Sequence, residues 1–562
     1  MYPMLPLASC LVALAMQDRG RPAYEIVAYT GQPTPIGGYF GLSPVPGEMN
    51  GAGEVSLYSD LHDPQGQVWL QSSIWRWSGG ELSVVVKEDD PAPRFNQAWF
   101  DGVAPFPDLA DDGRLGFHAT LYGPFIGSNP NTLWVGPAPD QSVVIWQGTP
   151  VSGLEGVHFG GLLRQLRFGP APSFAFSTDL TGQGVDSTND IAAFVHDGLD
   201  ARLLVREGAD LSADLPGVAP YDWRDGTPHI HFDGSGAAYF SVRLAGPNVH
   251  PEDDMALVRG APGDLTVIAR RGDPAPGMGD GVNYGIIGEP DVNASGTIAF
   301  KSDLNLEGFT YKAGEVLWLG APGGFQPIMR DQESLPGGYT AYGLSSPWLN
   351  EAGDVAFIAR IDDDRSGPWA AVVRRAGIMR VVAASGAPAP DTEEGTVFGD
   401  EQAIQFIHLA ETGQVAFVAG VEGPNVPAGA QGALWATDRD GQLRLVARTG
   451  DTLELDALRT IEALFLLHPD EAGDTRSGAF NEENQLAFVA QLNGDVQAVL
   501  LADLGDPCRV DFNDDGAVNT LDFLAYLNAF VAQDGSADFD GDGSINTLDF
   551  LFFLNEWALG CP

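Results

Sequence analysis

The stretch Val292–Leu304 reads VNASGTIAFKSDL. Asn293 and Gly296 supply the side chain and the backbone freedom that a tight turn needs. From Thr297 onward apolar and polar side chains alternate, with β-branched and aromatic residues enriched, which is the pattern of a strand. The pattern, N-x-x-G-x-x-A-F-x-x-x-L in outline, returns at Met49 (MNGAGEVSLYSDL), Leu109 (LADDGRLGFHATL), His231 (HFDGSGAAYFSVRL), Leu349 (LNEAGDVAFIARI), Leu409 (LAETGQVAFVAGV) and Asn481 (NEENQLAFVAQL). A degenerate copy begins at Phe168 (FGPAPSFAFSTDL). The equivalent position is Leu57, Phe117, Phe176, Phe240, Phe300, Phe357, Phe417 and Phe488, which makes eight copies spaced 57 to 71 residues apart.

Each copy is followed by a second extended run, such as EVLWLGA from Glu315 or GALWATD from Gly432. A third comes next, such as LTVIARRGDPAPG from Leu265 or LRLVARTGDTLE from Leu443, and it ends in a Gly-Asp turn. A fourth, weaker segment leads into the next copy. Three to four strands in about 60 residues, without helical periodicity, are the footprint of a propeller blade. The third-strand pattern appears first at Tyr24 (YEIVAYTGQPTP), ahead of any A-F strand, whereas the run VQAVLLADL after Phe488 has no third strand behind it. The N-terminal segment therefore supplies what the last repeat lacks, closing a ring and removing an exposed sheet edge. The expected fold is mainly β, an eight-bladed propeller over residues 20–505. Seven blades, an open solenoid or tandem sandwiches are the alternatives.

These repeats resemble a group of bacterial tandem-repeat proteins known by their N-x-x-G-x-x-A-F signature. The resemblance spans about residues 24–502. It implies a secreted, surface-associated repeat domain with no established chemistry, in which the motif phenylalanines pack between blades.

The composition agrees with a folded chain: 562 residues, 44% hydrophobic, with 71 Gly and 40 Pro to make turns. Lys and Arg total 29 against 76 Asp and Glu, a net charge of −47. Such a surface repels nucleic acid and anionic lipid and suits an extracellular setting or divalent cations. Residues 1–19 read as a secretory signal, truncated or atypical because no Lys or Arg precedes its apolar run, with Ala13-Leu14-Ala15 as the cleavage site. Leu7-Ala8-Ser9-Cys10 is the alternative, a lipoprotein box. No run of about 18 apolar residues is present, so no transmembrane helix is expected.

The last 57 residues, 506–562, are different. DFNDDGAVNTLDFLAYLNAF from Asp511 is nearly repeated by DFDGDGSINTLDFLFFLNEW from Asp538. Numbered as twelve-residue loops, the first offers Asp511, Asn513, Asp515, Ala517 (backbone carbonyl), Asn519 and Asp522 at positions 1, 3, 5, 7, 9 and 12, with Gly516 at the sharp turn. The second offers Asp538, Asp540, Asp542, Ser544, Asn546 and Asp549, with Gly543. This is the spacing of an EF-hand calcium loop, and its all-oxygen ligand set suits calcium better than the smaller octahedral magnesium. Two loops imply two calcium ions. Leu521, Leu524, Leu527 and Phe530, and in the second half Leu548, Leu551, Phe552, Leu554 and Trp557, recur at helical spacing and are expected to pack the two helices together.

Asp in place of Glu at position 12, and no entering helix before either loop, make the pair look like a dockerin, more narrowly the Gly-Cys-ending type of planctomycete-like secreted proteins. That resemblance implies a cohesin-like or cell-surface anchoring partner. It also implies that Thr520-Leu521 and Thr547-Leu548, at loop positions 10 and 11, choose that partner. Because the two pairs are identical, two equivalent docking poses follow; Leu521 and Leu548 are equally compatible with core packing. Cys508 and Cys561 bracket the unit and in an oxidising compartment could pair. They could also stay as thiols, with Cys561 as an anchoring site.

Catalytic signatures are scarce. His229, His231 and Asp233 place two imidazoles on one strand face, a spacing zinc could use, although strand histidines beside a turn explain it. Arg271-Gly272-Asp273 falls in the repeating turn. No nucleophile elbow, P-loop or zinc-protease motif is present. The sequence thus points to a secreted, monomeric, non-catalytic binding or scaffold protein held by a calcium-dependent module. The alternative is a polysaccharide-degrading propeller, a glycoside hydrolase tethered the same way, with a polysaccharide ligand.

Overall fold

The computed structural model describes the chain outside residues 1–21, 42–43, 64–68, 127–129, 138–140, 212–214, 222–227, 307–311, 363–366, 401–403, 405–406, 439–440, 468–478, 482, 505–509, 511, 513–518, 533–536, 538, 540–544 and 560–562. The signal segment, Cys10, Cys508 and Cys561 lie outside the described residues.

Eight antiparallel sheets follow one another as the blades of a propeller, and two short helices follow the last sheet. Blade 5 shows the plan. Its inner strand comes in two pieces, Val282–Ile287 and Asp291–Val292, and both pair with the A-F strand Ile298–Leu306. Next come Lys312–Gly320 and the outer strand Gln326–Arg330. The short inner pieces of successive blades touch: His231–Phe232 meets Asp291–Val292, which meets Trp348–Leu349, which meets Ile407–Leu409.

Both letters of the A-F motif are explained by this packing. The phenylalanine is fully buried and faces the preceding blade: Phe300 shares a core with Tyr239 and Leu257. The alanine before it faces the following blade. Ala299 packs with Phe357, Ala356 with Phe417, Ala175 with Phe240 and Ala416 with Phe488. A larger side chain there would collide with the next blade's aromatic ring. Across the sheet the motif ring often lies opposite a tryptophan, as Phe300 opposite Trp318 and Phe417 opposite Trp435.

The turn residues do more than turn. The motif glycine has positive φ, 78° at Gly296 and 80° at Gly353. In the copy from Asn481 the same place is taken by Asn484, with φ 66°, as only asparagine and its like do readily. The motif asparagine is buried and bonded twice over. Asn350 Oδ1 accepts the Asp354 N–H (2.8 Å), closing its own turn. Its Nδ2 donates to the Ala410 and Glu411 carbonyls of the next blade, both at 3.3 Å. Asn293 does the same toward Asn350 (3.2 Å), and Asn50 toward Ala110 (3.3 Å). These amides clamp one blade to the next. Asn350→Ala leaves the buried Asp354 N–H unmet and removes both inter-blade hydrogen bonds, and should cost about 1–3 kcal/mol, read as a lower sheet melting temperature in the full chain.

The eighth sheet is assembled from both ends of the domain. Ala23–Tyr29 pairs antiparallel with Val496–Asp503, Ala23 opposite Asp503 and Tyr29 opposite Ala498. Val27 and Ala28 are fully buried in its core, and the Tyr24 hydroxyl donates to the Val446 carbonyl of blade 7.

Candidate metal centre and docking faces

In the terminal unit, helix α1 is Thr520–Ala532 and helix α2 is Thr547–Leu559. Each begins with a reciprocal cap. Asn519 Oδ1 accepts the Leu521 N–H (2.8 Å), and the Asp522 carboxylate accepts the Asn519 N–H (2.8 Å). Asn546, Leu548 and Asp549 repeat this at 2.9 and 2.7 Å, and Asp549 also accepts the Phe539 N–H at 2.7 Å. The positive end of each helix therefore receives an anionic side chain.

Asp522 and Asp549 are both 0% exposed. A buried carboxylate needs a counter-charge. Residues 505–562 contain eleven acidic residues (Asp506, Asp511, Asp514, Asp515, Asp522, Asp534, Asp538, Asp540, Asp542, Asp549, Glu556) and a single basic one, Arg509. One basic residue cannot balance eleven acids, and an all-oxygen donor set of Asp and Asn fits a hard divalent cation. Of the expected ligands, Asn519, Asp522, Asn546 and Asp549 are placed as above. Asp511, Asn513, Asp515, Ala517, Asp538, Asp540, Asp542 and Ser544 lie outside the described residues.

The helices run antiparallel. Phe523 meets Trp557 (5.9 Å between ring centroids), Tyr526 stacks on Phe553 (3.9 Å, 1° between planes) and Phe530 meets Phe550 (5.9 Å). Trp557 Nε1 donates to the Asn519 carbonyl (3.3 Å), tying the second helix to the first loop. Burial, and then the Asp549 charge, push the Tyr526 hydroxyl up to about 12, so it stays protonated.

This packing corrects the expected helix faces in part: Phe530 and Trp557 pack inward as expected, and the leucines do not. The core is aromatic, whereas Leu521 (57% exposed), Leu524 (54%), Leu548 (52%) and Leu551 (54%) point outward with Phe552 and Val531. Thr520 and Thr547 are exposed beside them. Leu521 with Leu524, and Leu548 with Leu551, occupy matching places 27 residues apart, so the unit presents two like apolar faces. Leu524, Leu551 and Phe552 were missed as surface residues because both sides of each helix are apolar.

In the propeller, His229, His231 and Asp233, whose spacing zinc could use, are not brought together as a metal site among the described residues. Asp233 holds its own turn, accepting from Ser235 N (2.9 Å) and Ala237 N (3.1 Å), and it also accepts from the Tyr239 hydroxyl (2.9 Å). Among the described residues no group of three or more His, Cys, Asp or Glu is placed to hold a metal. Arg271 pairs with Asp254 at 2.7 Å. No helix among the described residues is long and apolar enough to cross a membrane.

Two family models match the chain. A family of unknown function (DUF7453) covers residues 49–497, and the dockerin type I domain covers residues 509–556. No curated protein matches. Among solved structures, the β-propeller domain of the Trilobed protease from Pyrococcus furiosus is 8% identical at TM-score 0.37, over 72% of this chain and 96% of that one. Pyrococcus horikoshii acylaminoacyl peptidase is 9% identical at TM-score 0.35, over 74% of this chain and 56% of that one, so the chain spans little more than half its length. Oligogalacturonate lyase from Vibrio parahaemolyticus is 11% identical at TM-score 0.35, over 71% and 95%. Likenesses this weak carry no argument about activity.

Proposed function

We propose, from the premise that the chain belongs to the family of unknown function DUF7453 and ends in a type I dockerin domain, that it is an extracellular, non-catalytic binding or scaffold protein. The propeller, over residues 20–505, is the cargo. The dockerin, over residues 506–562, attaches it to a cohesin-bearing partner on a cell surface. Two calcium ions organise the attachment, one per loop, through Asp511, Asn513, Asp515, Ala517, Asn519 and Asp522, and through Asp538, Asp540, Asp542, Ser544, Asn546 and Asp549. Leu521 with Thr520, and Leu548 with Thr547, make the docking contacts. Cys508 and Cys561 either close the unit as a disulfide or leave Cys561 as an anchoring thiol. The repeat signature and the Gly-Cys ending favour a secreted protein.

The observation that carries this reading is the pair of solvent-facing leucine faces, repeated on two helices whose capping carboxylates are buried in a unit of eleven acidic residues and one basic. Apolar side chains left exposed in matching places mark an interaction surface. The test is capture of cohesin modules by the full chain. Binding is expected with calcium and not with chelator. Leu521→Asp or Leu548→Asp alone should leave one face working, and the double variant should lose binding by about a hundredfold or more. Capture that survives both chelator and the double variant would overturn the reading.

A further inference from the structure

Eleven residues before the motif phenylalanine the inner strand is broken or bulged, and there blades 2 to 5 carry Phe106, Gln165, His229 and Glu289. Blades 1 and 6 have Pro46 and Ser346 at that place. The inner strands line the axis of a propeller, so these four side chains come from neighbouring positions on one wall. The ion pair between Asp108 and Arg167 (3.2 Å), two residues beyond Phe106 and Gln165, fixes blades 2 and 3 in that register. Gln165 Nε2 lies 3.4 Å from His229 Nε2. Glu289 accepts the Ser241 hydroxyl at 2.7 Å and lies near His229, and burial holds its carboxyl above the usual carboxylate range.

Two features of this wall are not explained by packing. Phe106 is 51% exposed and has φ 62°, a left-handed backbone that a bulky residue adopts only under constraint, and Pro105 and Pro107 flank it. Pro107 is held in turn, its carbonyl accepting the Ser56 hydroxyl at 2.8 Å. Such strain is kept where the surroundings enforce it, and it collects at ligand sites. His229 is 6% exposed, yet its Nδ1 has no hydrogen-bond partner among the described residues. With the Gln165 amide donating to Nε2, the tautomer places a buried, unmet N–H on Nδ1.

We propose that these four residues form a saccharide-binding site in the propeller, with Phe106 as the stacking face and Gln165, His229 and Glu289 as partners of sugar hydroxyls. The class follows from the donor and acceptor inventory. A hydroxyl both donates and accepts. Glu289 accepts, His229 Nδ1 donates and Gln165 does both, so a ring bearing adjacent hydroxyls satisfies all three. An anion would face Glu289 and a net charge of −47. A quaternary ammonium could use Phe106 and Glu289 but would leave the imidazole N–H unmet. The aromatic ring meets the apolar C–H face of a sugar and excludes water from it.

This site is independent of the docking role, and its test leaves the tail untouched. Saturation-transfer NMR is run on the calcium-loaded full chain with β-1,4-linked tetraoses of glucose, xylose, mannose and galactose, and with choline as the cationic comparison. Transfer to at least one tetraose is expected, weakened about tenfold or more by Phe106→Ala and by Glu289→Gln. Phe125→Ala, another exposed phenylalanine (75%), should change nothing. Melting temperatures of the variants control for folding: Phe106→Ala removes an exposed ring and should leave the sheets intact. No transfer from any tetraose, transfer unchanged in both variants, or binding of choline in place of sugars would each overturn the proposal.

Discussion

Calcium removal from the full chain will unfold the two terminal helices and leave the eight sheets standing. Hydrogen exchange gives the clean readout: amides of Leu521–Phe530 and Leu548–Leu554 protected with calcium, and exchanging at unprotected rates in chelator, while blade amides do not change. The physical cause is charge. With one arginine against eleven acids in residues 505–562, the metal-free unit brings together carboxylates that repel, two of them wholly buried. Each helix has 13 residues, at the margin of stability in water without a partner. Binding and folding are then one event. At a free calcium concentration a thousandfold above the dissociation constant, the ion contributes about 4 kcal/mol to the unit, which is most of what so small a core can hold. Asp549→Asn removes the charge and keeps only one of the two backbone N–H contacts, since its amide nitrogen cannot accept. It should weaken calcium binding at the second loop by about tenfold or more. Protection of both helices that persists in chelator would contradict this account.

Deleting residues 22–30 should have a larger effect on the propeller than any substitution in it. The deletion removes a whole strand from the eighth sheet, with fully buried Val27 and Ala28 and the Tyr24 hydrogen bond to blade 7. Ala498–Ala502, now buried, would become an open, apolar sheet edge. The loss of apolar burial and ladder bonds is on the order of 5 kcal/mol or more, and an uncapped edge of this kind invites association between chains. The expected result is a melting temperature lowered by many degrees, with aggregation on size exclusion. A synthetic peptide of residues 22–30 added in trans should restore part of both. A deletion protein that melts like the parent would show that the ring does not depend on this strand.

Much of this architecture is legible in the chain because the motif is written eight times. One copy of A-F in a strand is ambiguous; eight at near-regular spacing, with an out-of-turn strand at Tyr24, point to a ring of blades. The clamp made by Asn293 and Asn350 is not legible, since a turn asparagine looks the same whether or not its amide reaches the next blade. The helix faces misled for a different reason. In TLDFLAYLNAFVA the leucines at 521 and 524 and the aromatics at 523, 526 and 530 both satisfy helical spacing. Periodicity cannot choose between two apolar faces, and the larger rings take the interior because they remove more area from water. Phe106, Gln165, His229 and Glu289 escape notice because they occupy the one part of the repeat where blades differ.

The pairing of Thr30 with Gln497, 467 positions apart in the chain, has a temporal consequence. As the polypeptide leaves the ribosome, the segment Ala23–Tyr29 is made before any complete blade, yet its partner arrives only after some 470 further residues. The earliest strand is therefore the last to find its seat, and contacts so distant in the chain form slowly. Until then both would-be neighbours wait with unsatisfied edges, so a helper that shields extended segments during synthesis should raise the yield of closed rings.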